Sequence, residues 1–333
     1  MKRHILSLFL KTKTEKLRTA CAVRSAEGMN MIRSMEELTQ AAAAKGPRMM
    51  AVACAQDAPV LEAVKLACDR NIVIPLLVGD KQKILEEAEK AGVDVSEWEI
   101  VDIPDKTEAC QTAARLAGEG KVQLIMKGMV DTSIIMKAVL NKEYGLRKEG
   151  VLSHVGVLEV DGFDHMFAVT DSALNIAPDL DAKAAIVNNA VEVMHAIGIE
   201  EPKVAALCAV EKVNEKMQCT LDAAELTKMN QEGKITGCVV EGPFALDNAV
   251  SAEAAAHKGV SGSVAGNADV LLVPDIEAGN LLIKSMEYFA KAKKAGVIMG
   301  AKIPVALTSR ATSPESKMYT IAIAKIIADS REV

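Results

Sequence analysis

Short runs rich in Val and Ile alternate with longer amphipathic stretches along almost the whole chain, and this alternation restricts the fold more than any other feature. Apolar runs fall at 48–55, 73–78, 122–126, 204–210, 236–240, 269–273 and 303–307, bounded by Gly, Pro or Asp. Runs this short and this uniformly apolar suit strands buried on both faces. Between them, 57–70, 80–91, 105–118, 179–197, 220–232, 247–258 and 280–295 carry helical spacing. Asp57 with Pro59, Asp105, and Thr220 with Asp222 mark helix starts. Strand–helix–strand order predicts an α/β chain with largely parallel sheets covered by helices. One segment departs from it. Val155–Val160, then Asp161-Gly162, then His165–Thr170 reads as a hairpin around a turn dipeptide that tolerates positive φ. It follows the basic, glycine-bearing stretch Lys142–Gly150, and a domain boundary is placed there. A length of 333 residues allows the two domains this implies.

Composition narrows the function. Only 3% of residues are aromatic, so the cores draw on Ala, Val, Ile, Leu and 16 Met, and no platform of stacked rings for nucleic acid is available. The balance of 39 Lys and Arg against 45 Asp and Glu leaves a net charge of −6, with no basic excess for a phosphate backbone. No apolar run approaches the ~20 residues of a membrane-spanning helix. Seven Cys are scattered without a CxxC, and most sit in apolar runs. That usage fits a reducing cytoplasm rather than a disulfide framework or a zinc site. The first 34 residues differ, with eight Lys or Arg and two Glu. Residues 1–30 are read as an extension outside the fold. A disordered start (Met29, Met31 or Met35 would also serve), a helical extension and a targeting segment all remain open.

Several chemistries lack sequence support. GxGxxG after a strand, GxxxxGK[ST], HExxH and GxSxG are all missing. The five His have no acidic partner at metal spacing. His195 and His257 fall in helical patterns and read as surface or boundary residues, whereas His154 opens the hairpin and stays open to a cleft role. Three strand ends carry residues suited to an anion. Lys127-Gly128-Met129-Val130-Asp131-Thr132-Ser133 combines a cation, hydroxyls and a helix N-terminus, or is an ordinary helix cap. Gly279-Asn280 opens a helix that carries Lys284, at the end where parallel sheets bind ligands, or is a plain turn. Leu307-Thr308-Ser309-Arg310 ends a strand with hydroxyls and an Arg fit for two-point contact, or is a loop before a capped helix.

Taken in order, these segments resemble the phosphate acetyl/butyryltransferase family from about Met31 to Ala328. The strongest stretches are KGMVDTSIIMKAVLNKEYGLR (127–147), TDSALNIAPDL (170–180), KVAALCAVEKVNEKM (203–217), EGPFALDNAVSAEAAAHKG (241–259), VAGNADVLLVPDIEAGNLLIK (264–284) and PVALTSRATSPESK (304–317). SHVGVLE (153–159), EGPFALDNA and TSRxxSPESK resemble the butyryl branch more than the acetyl branch.

The resemblance implies two α/β domains of the isocitrate/isopropylmalate dehydrogenase type, with the active site in the cleft between them. The first domain would take 31–150 and receive 305–333 back, and 151–304 would form the second. It implies homodimers or larger assemblies, and reversible acyl transfer between coenzyme A and inorganic phosphate, with no metal or redox cofactor. A phosphate acetyltransferase and a catalytically silent coenzyme A-sensing module are the alternatives. By the same resemblance Ser309 and Arg310 lie at the acyl-phosphate site and Thr132 and Ser133 near the phosphate, in the segment that Lys127 opens. Gly242, Pro243, Asp247, Gly279, Asn280 and Lys284 match cleft-lining positions. The chain departs from the pattern in two places. Ser316 stands where the acetyl branch has the Asp proposed as base, beside Glu315, and Thr312 stands where many butyryl-branch sequences read SRADS. The base is Glu315, or there is no dedicated base.

Overall fold

The computed structural model describes residues 31–309 and 311–331, so the reading of residues 1–30 lies outside it. The elements are α1 (Met35–Ala44), β1 (Arg48–Ala53), α2 (Ala58–Asp69), β2 (Val73–Gly79), α3 (Lys81–Ala91), β3 (Glu99–Asp102), α4 (Lys106–Gly118), β4 (Leu124–Lys127) and α5 (Thr132–Val139). The hairpin strands β5 (Ser153–Glu159) and β6 (Phe167–Thr170) follow, then α6 (Leu180–Ala196), β7 (Lys203–Leu207), α7 (Gln218–Gln231) and β8 (Val239–Phe244). The chain continues through α8 (Leu246–Val250), α9 (Ala252–His257), β9 (Val270–Leu272), α10 (Ile276–Tyr288), β10 (Lys293–Met299), β11 (Val305–Ala306) and α11 (Pro314–Ser330). Acidic caps set several helix starts. Asp80, Asp105, Asp179 and Asp275 each accept the backbone N–H three residues on, a contact worth about 1 kcal/mol.

All eleven strands join one sheet in the order β3-β2-β1-β4-β11-β10-β5-β6-β9-β7-β8. Both flanks are parallel, as the alternation predicts, and the centre is not. The pairings β11–β10, β10–β5 and β5–β6 are antiparallel. The expected hairpin is β5–β6, in register from Val155 opposite Thr170 to Leu158 opposite Phe167. β11 returns to lie beside β4. No helix among the described residues is long and apolar enough to cross a membrane.

Four readings need correction. The helix expected over 280–295 ends at Tyr288, and Lys293 already belongs to β10. The paired lysines and the single Gly296 of that strand hid it, although β5 and β11 flank it on both sides. The helix expected over 247–258 breaks at Ser251, whose extended backbone and side chain cap α9. The strands expected at 204–210 and 236–240 occupy Lys203–Leu207 and Val239–Phe244. The edge strand β3 escaped notice because it is short and half exposed.

Side-chain alternation gives the sheet two different faces. On one, Met50, Val52, Leu77, Met126, Val155, Val157, Val204 and Val297 share a single core with Leu38 of α1, Leu61 of α2, Ile186 of α6 and Ile323 of α11. On the other face the core is divided. Ala51, Val78, Ile125 and Val305 pack with α4 and α5, while Leu158, Val169 and Leu271 pack with Ile283 of α10. The seam between them runs over β10 and β5, where Gly296 stands opposite Gly156 and Ile298 opposite His154. Small residues and one imidazole therefore occupy the middle of this face.

Candidate active site

β1, β4 and β11 run parallel, so their carboxyl ends emerge together beside the seam. Lys127, the last residue of β4, is 7% exposed. Its Nζ donates to the carbonyls of Gly128 (3.1 Å) and Val130 (2.7 Å) and so shapes the loop ahead of α5. Gly128 N–H donates to Ala53 O and Met129 N–H to Cys54 O, each at 2.8 Å. A Cβ at Gly128 would lie 2.8 Å from Ala53 O and closer still to Cys54 O. Only glycine passes there. The loop delivers half-buried Thr132 and exposed Ser133 to the first turn of α5, where backbone N–H groups have no helical partner.

β11 leads directly to Ser309, which is exposed. Its carbonyl accepts from Thr312 N–H at 3.2 Å and from Lys317 Nζ at 3.4 Å, and Lys317 also donates to Thr312 O at 2.5 Å. Lys317 is 1% exposed, so one buried ammonium holds the whole turn that carries Ser309. Burial holds its pKa below the ordinary lysine value, Asp57 opposes that and Lys127 reinforces it. Arg310 lies outside the described residues. Glu315 is exposed on the first turn of α11, where its Oε1 accepts from the Tyr319 hydroxyl at 2.7 Å. Ser316 N–H donates to the capping Ser313 Oγ at 3.2 Å.

Across the seam, α10 presents Gly279, Asn280 and Lys284. Gly279 packs so closely that a Cβ would sit 2.7 Å from Asp171 O. Asn280 Nδ2 donates to Ser172 O at 3.4 Å, and Lys284 pairs with Glu287 at 2.6 Å. Gly242, Pro243 and Asp247 belong to a different place. β8 is the far edge strand, six positions from β11, which at ~4.8 Å per strand is roughly 29 Å away. Asp247 there pairs with Lys258 at 2.8 Å. Within one chain, the structure does not bring these three to Ser309. His195 and His257 are exposed, as expected.

A cavity of about 810 Å³ opens beside α5, lined by Ser133 together with Lys137, Lys142, Arg147, Gln111 and Thr107. Its three cations face one acid, Glu143.

A family model described as "Phosphate acetyl/butaryl transferase" matches residues 34–116 and 106–325. The chain belongs to this family. It is 49% identical to the phosphate butyryltransferase of Clostridium beijerinckii over 298 residues, covering 90% of this chain and 99% of that protein. It is 43% identical to the phosphate acetyltransferase of Thermotoga maritima, covering 88% and 99%. Among solved structures, a branched-chain phosphotransacylase from Enterococcus faecalis V583 superposes with a TM-score of 0.75 at 34% identity, covering 84% and 99%. The matched ranges span both strand ends above and the seam between them.

Some residues of the site had no individual signal in the sequence. Lys142 and Arg147 read only as a basic stretch at a boundary, and Lys137 and Lys317 only as parts of longer motifs. Folding brings the first three to one cavity and sets Lys317 under the Ser309 turn.

Proposed function

We propose that this chain transfers a short-chain acyl group, butyryl foremost, reversibly between coenzyme A and inorganic phosphate. The observation that carries the reading is the joint emergence of the 127–133 and 307–313 segments at neighbouring parallel strand ends, in a chain of this family. Both substrates are polyanions, and Lys127, Lys317 and the first turn of α5 gather positive potential there. The three-cation cavity beside Ser133 supports a place for the phosphates of coenzyme A. Residues 31–150 with 305–333 form one lobe in this reading, and 151–304 the other. The return of β11 to β4 supports that division. A homodimer or larger assembly and a cytoplasmic location belong to the same proposal.

The chemistry follows from charge. Thr132, Ser133 and Arg310 hold the phosphate, Arg310 through the two-point contact that its planar group allows. A thiol of pKa ~8.5 ionises readily in a positive site. Thiolate attack on the acyl carbonyl builds an oxyanion that Ser309 stabilises, and phosphate then leaves. Direct transfer needs both substrates bound together, which supplies the proximity effect. It needs no covalent intermediate on the enzyme, no metal and no redox cofactor.

Phosphate acetyltransferase is the second reading, favoured by the 43% identity to the Thermotoga maritima protein. Phosphate-dependent thiol release across acetyl-, propionyl-, butyryl- and isobutyryl-CoA separates the two. One methylene shifts selectivity by ~10-fold or more, so kcat/KM should rise from acetyl to butyryl. An optimum at acetyl-CoA would select the second reading.

A further inference from the structure

His154 sits on the floor of the seam, 6% exposed, at a strand position facing the divided side of the sheet. Its Nδ1 pairs with Ser172 Oγ at 2.9 Å. The ring lies over Gly296, where a Cβ would be 2.8 Å from Nε2 and 3.0 Å from Leu307 O. Any larger residue at 296 would therefore displace either the imidazole or the strand end that leads to Ser309. On the opposite side Ser172 O accepts from Asn280. One ring thus touches both banks of the seam. Among the described residues Nε2 has no hydrogen-bond partner, and it is not fully enclosed, so that edge is open to the seam.

Resting on the acyl-transfer reading, we propose that His154 donates its Nε2–H to the acyl carbonyl oxygen during transfer. Ser172 Oγ–H donates to Nδ1 and so fixes the proton on Nε2. The C–S bond forms as the carbonyl electron pair moves to oxygen. That pair returns as the C–O bond to phosphate breaks, and phosphate leaves with the bonding electrons. His154 hydrogen-bonds throughout and transfers no proton. The donor must be neutral, and the surroundings keep it so. Burial pushes its pKa down to about 4, with Asp171 and Glu287 opposing and Lys294 and Lys284 reinforcing. A neutral imidazole acting as donor to a developing oxyanion is sound chemistry.

The test exploits the two halves of the ring. Glutamine places an amide where Nε2 lies, and asparagine places one where Nδ1 lies. Donation from Nε2 predicts that His154→Gln keeps kcat within about tenfold, while His154→Asn loses ~10²-fold or more with KM little changed. His154→Ala should match the Asn variant; it also opens a cavity, so the Gln and Asn pair decides. A purely structural role through Ser172 predicts the reverse order. His154→Asn within threefold of an active wild type, or equal losses in both variants, would overturn the inference alone. A wild type that transfers no acyl group overturns the reading beneath it as well.

Discussion

Glu315 turns its carboxylate to the Tyr319 hydroxyl, 2.7 Å away, and burial together with that carboxylate raises the Tyr319 pKa above its ordinary value. A carboxylate held in this way is a poor candidate to take the thiol proton. It is also one residue from the family's Asp position, a rotation of ~100° on a helix. Glu315→Gln is therefore expected to lower kcat for acyl-CoA formation by less than about tenfold between pH 6 and 9. Ser309→Ala should cost more, on the order of 10²-fold. A hundredfold loss in Glu315→Gln that shrinks as pH rises would make Glu315 the base. At this scale the sequence shows what is local. Lys127–Ser133 and Leu307–Ser313 each combine hydroxyls, a cation and a helix start within a few residues. The grip of Lys317 on Ser309 O needs a helix to fold back under its own leading turn. The meeting of His154 with Gly296 needs the register of two strands distant in the chain. Neither can be read from spacing.

Elements were legible where their ends are punctuated. Asp105 and Asp80 start helices because a short carboxylate reaches the third N–H on. β10 was not legible, because its two leading lysines and Gly296 look like a helix end and a turn until β5 and β11 flank the strand on both sides. α11 shows what tertiary context adds. Lys325, with no exposed surface, pairs with Asp329 at 2.6 Å, and Arg48 of β1 reaches the same carboxylate at 2.8 Å. Asp329→Ala should destabilise the protein by ~3–5 kcal/mol in denaturant unfolding, since it strands a buried charge. Lys325→Met should cost clearly less, because Arg48 still satisfies Asp329. Equal costs would mean that Arg48 contributes nothing. Just ahead of β6, His165 lies between Asp164 (2.6 Å) and Asp269 (3.3 Å). Contact with Asp269 raises its pKa, burial opposes, and Asp164 adds to the rise. A raised folded pKa means stabilisation present in full below the unfolded value of ~6.5 and lost as pH rises through the folded value. The Tm advantage of wild type over His165→Gln should therefore be larger at pH 6 than at pH 8.5. An unchanged gap would show that the imidazolium contributes nothing.

The molecule as a whole has one face sealed by a continuous core and one face with two cores and a seam. Two parallel flanks meet at that seam through antiparallel strands. Two-sided burial of the strands was foreseeable from their apolar runs, whereas the division of one core was not, since it depends on glycines meeting across β5 and β10. Ile32 is buried and donates its N–H to Ile197 O at 2.9 Å. A chain starting at Met31 should keep the melting temperature and activity of the full chain, whereas removal through Ser34 should lower the melting temperature by deleting the α1 cap. A loss of several degrees on removing residues 1–30 would make that segment part of the structure. The central claim, acyl transfer from coenzyme A to phosphate, is tested most directly by following free thiol from butyryl-CoA with and without phosphate. The account predicts release that requires phosphate, saturates with it, and yields one butyryl phosphate per thiol. Release that proceeds equally without phosphate, or none under either condition, would contradict it.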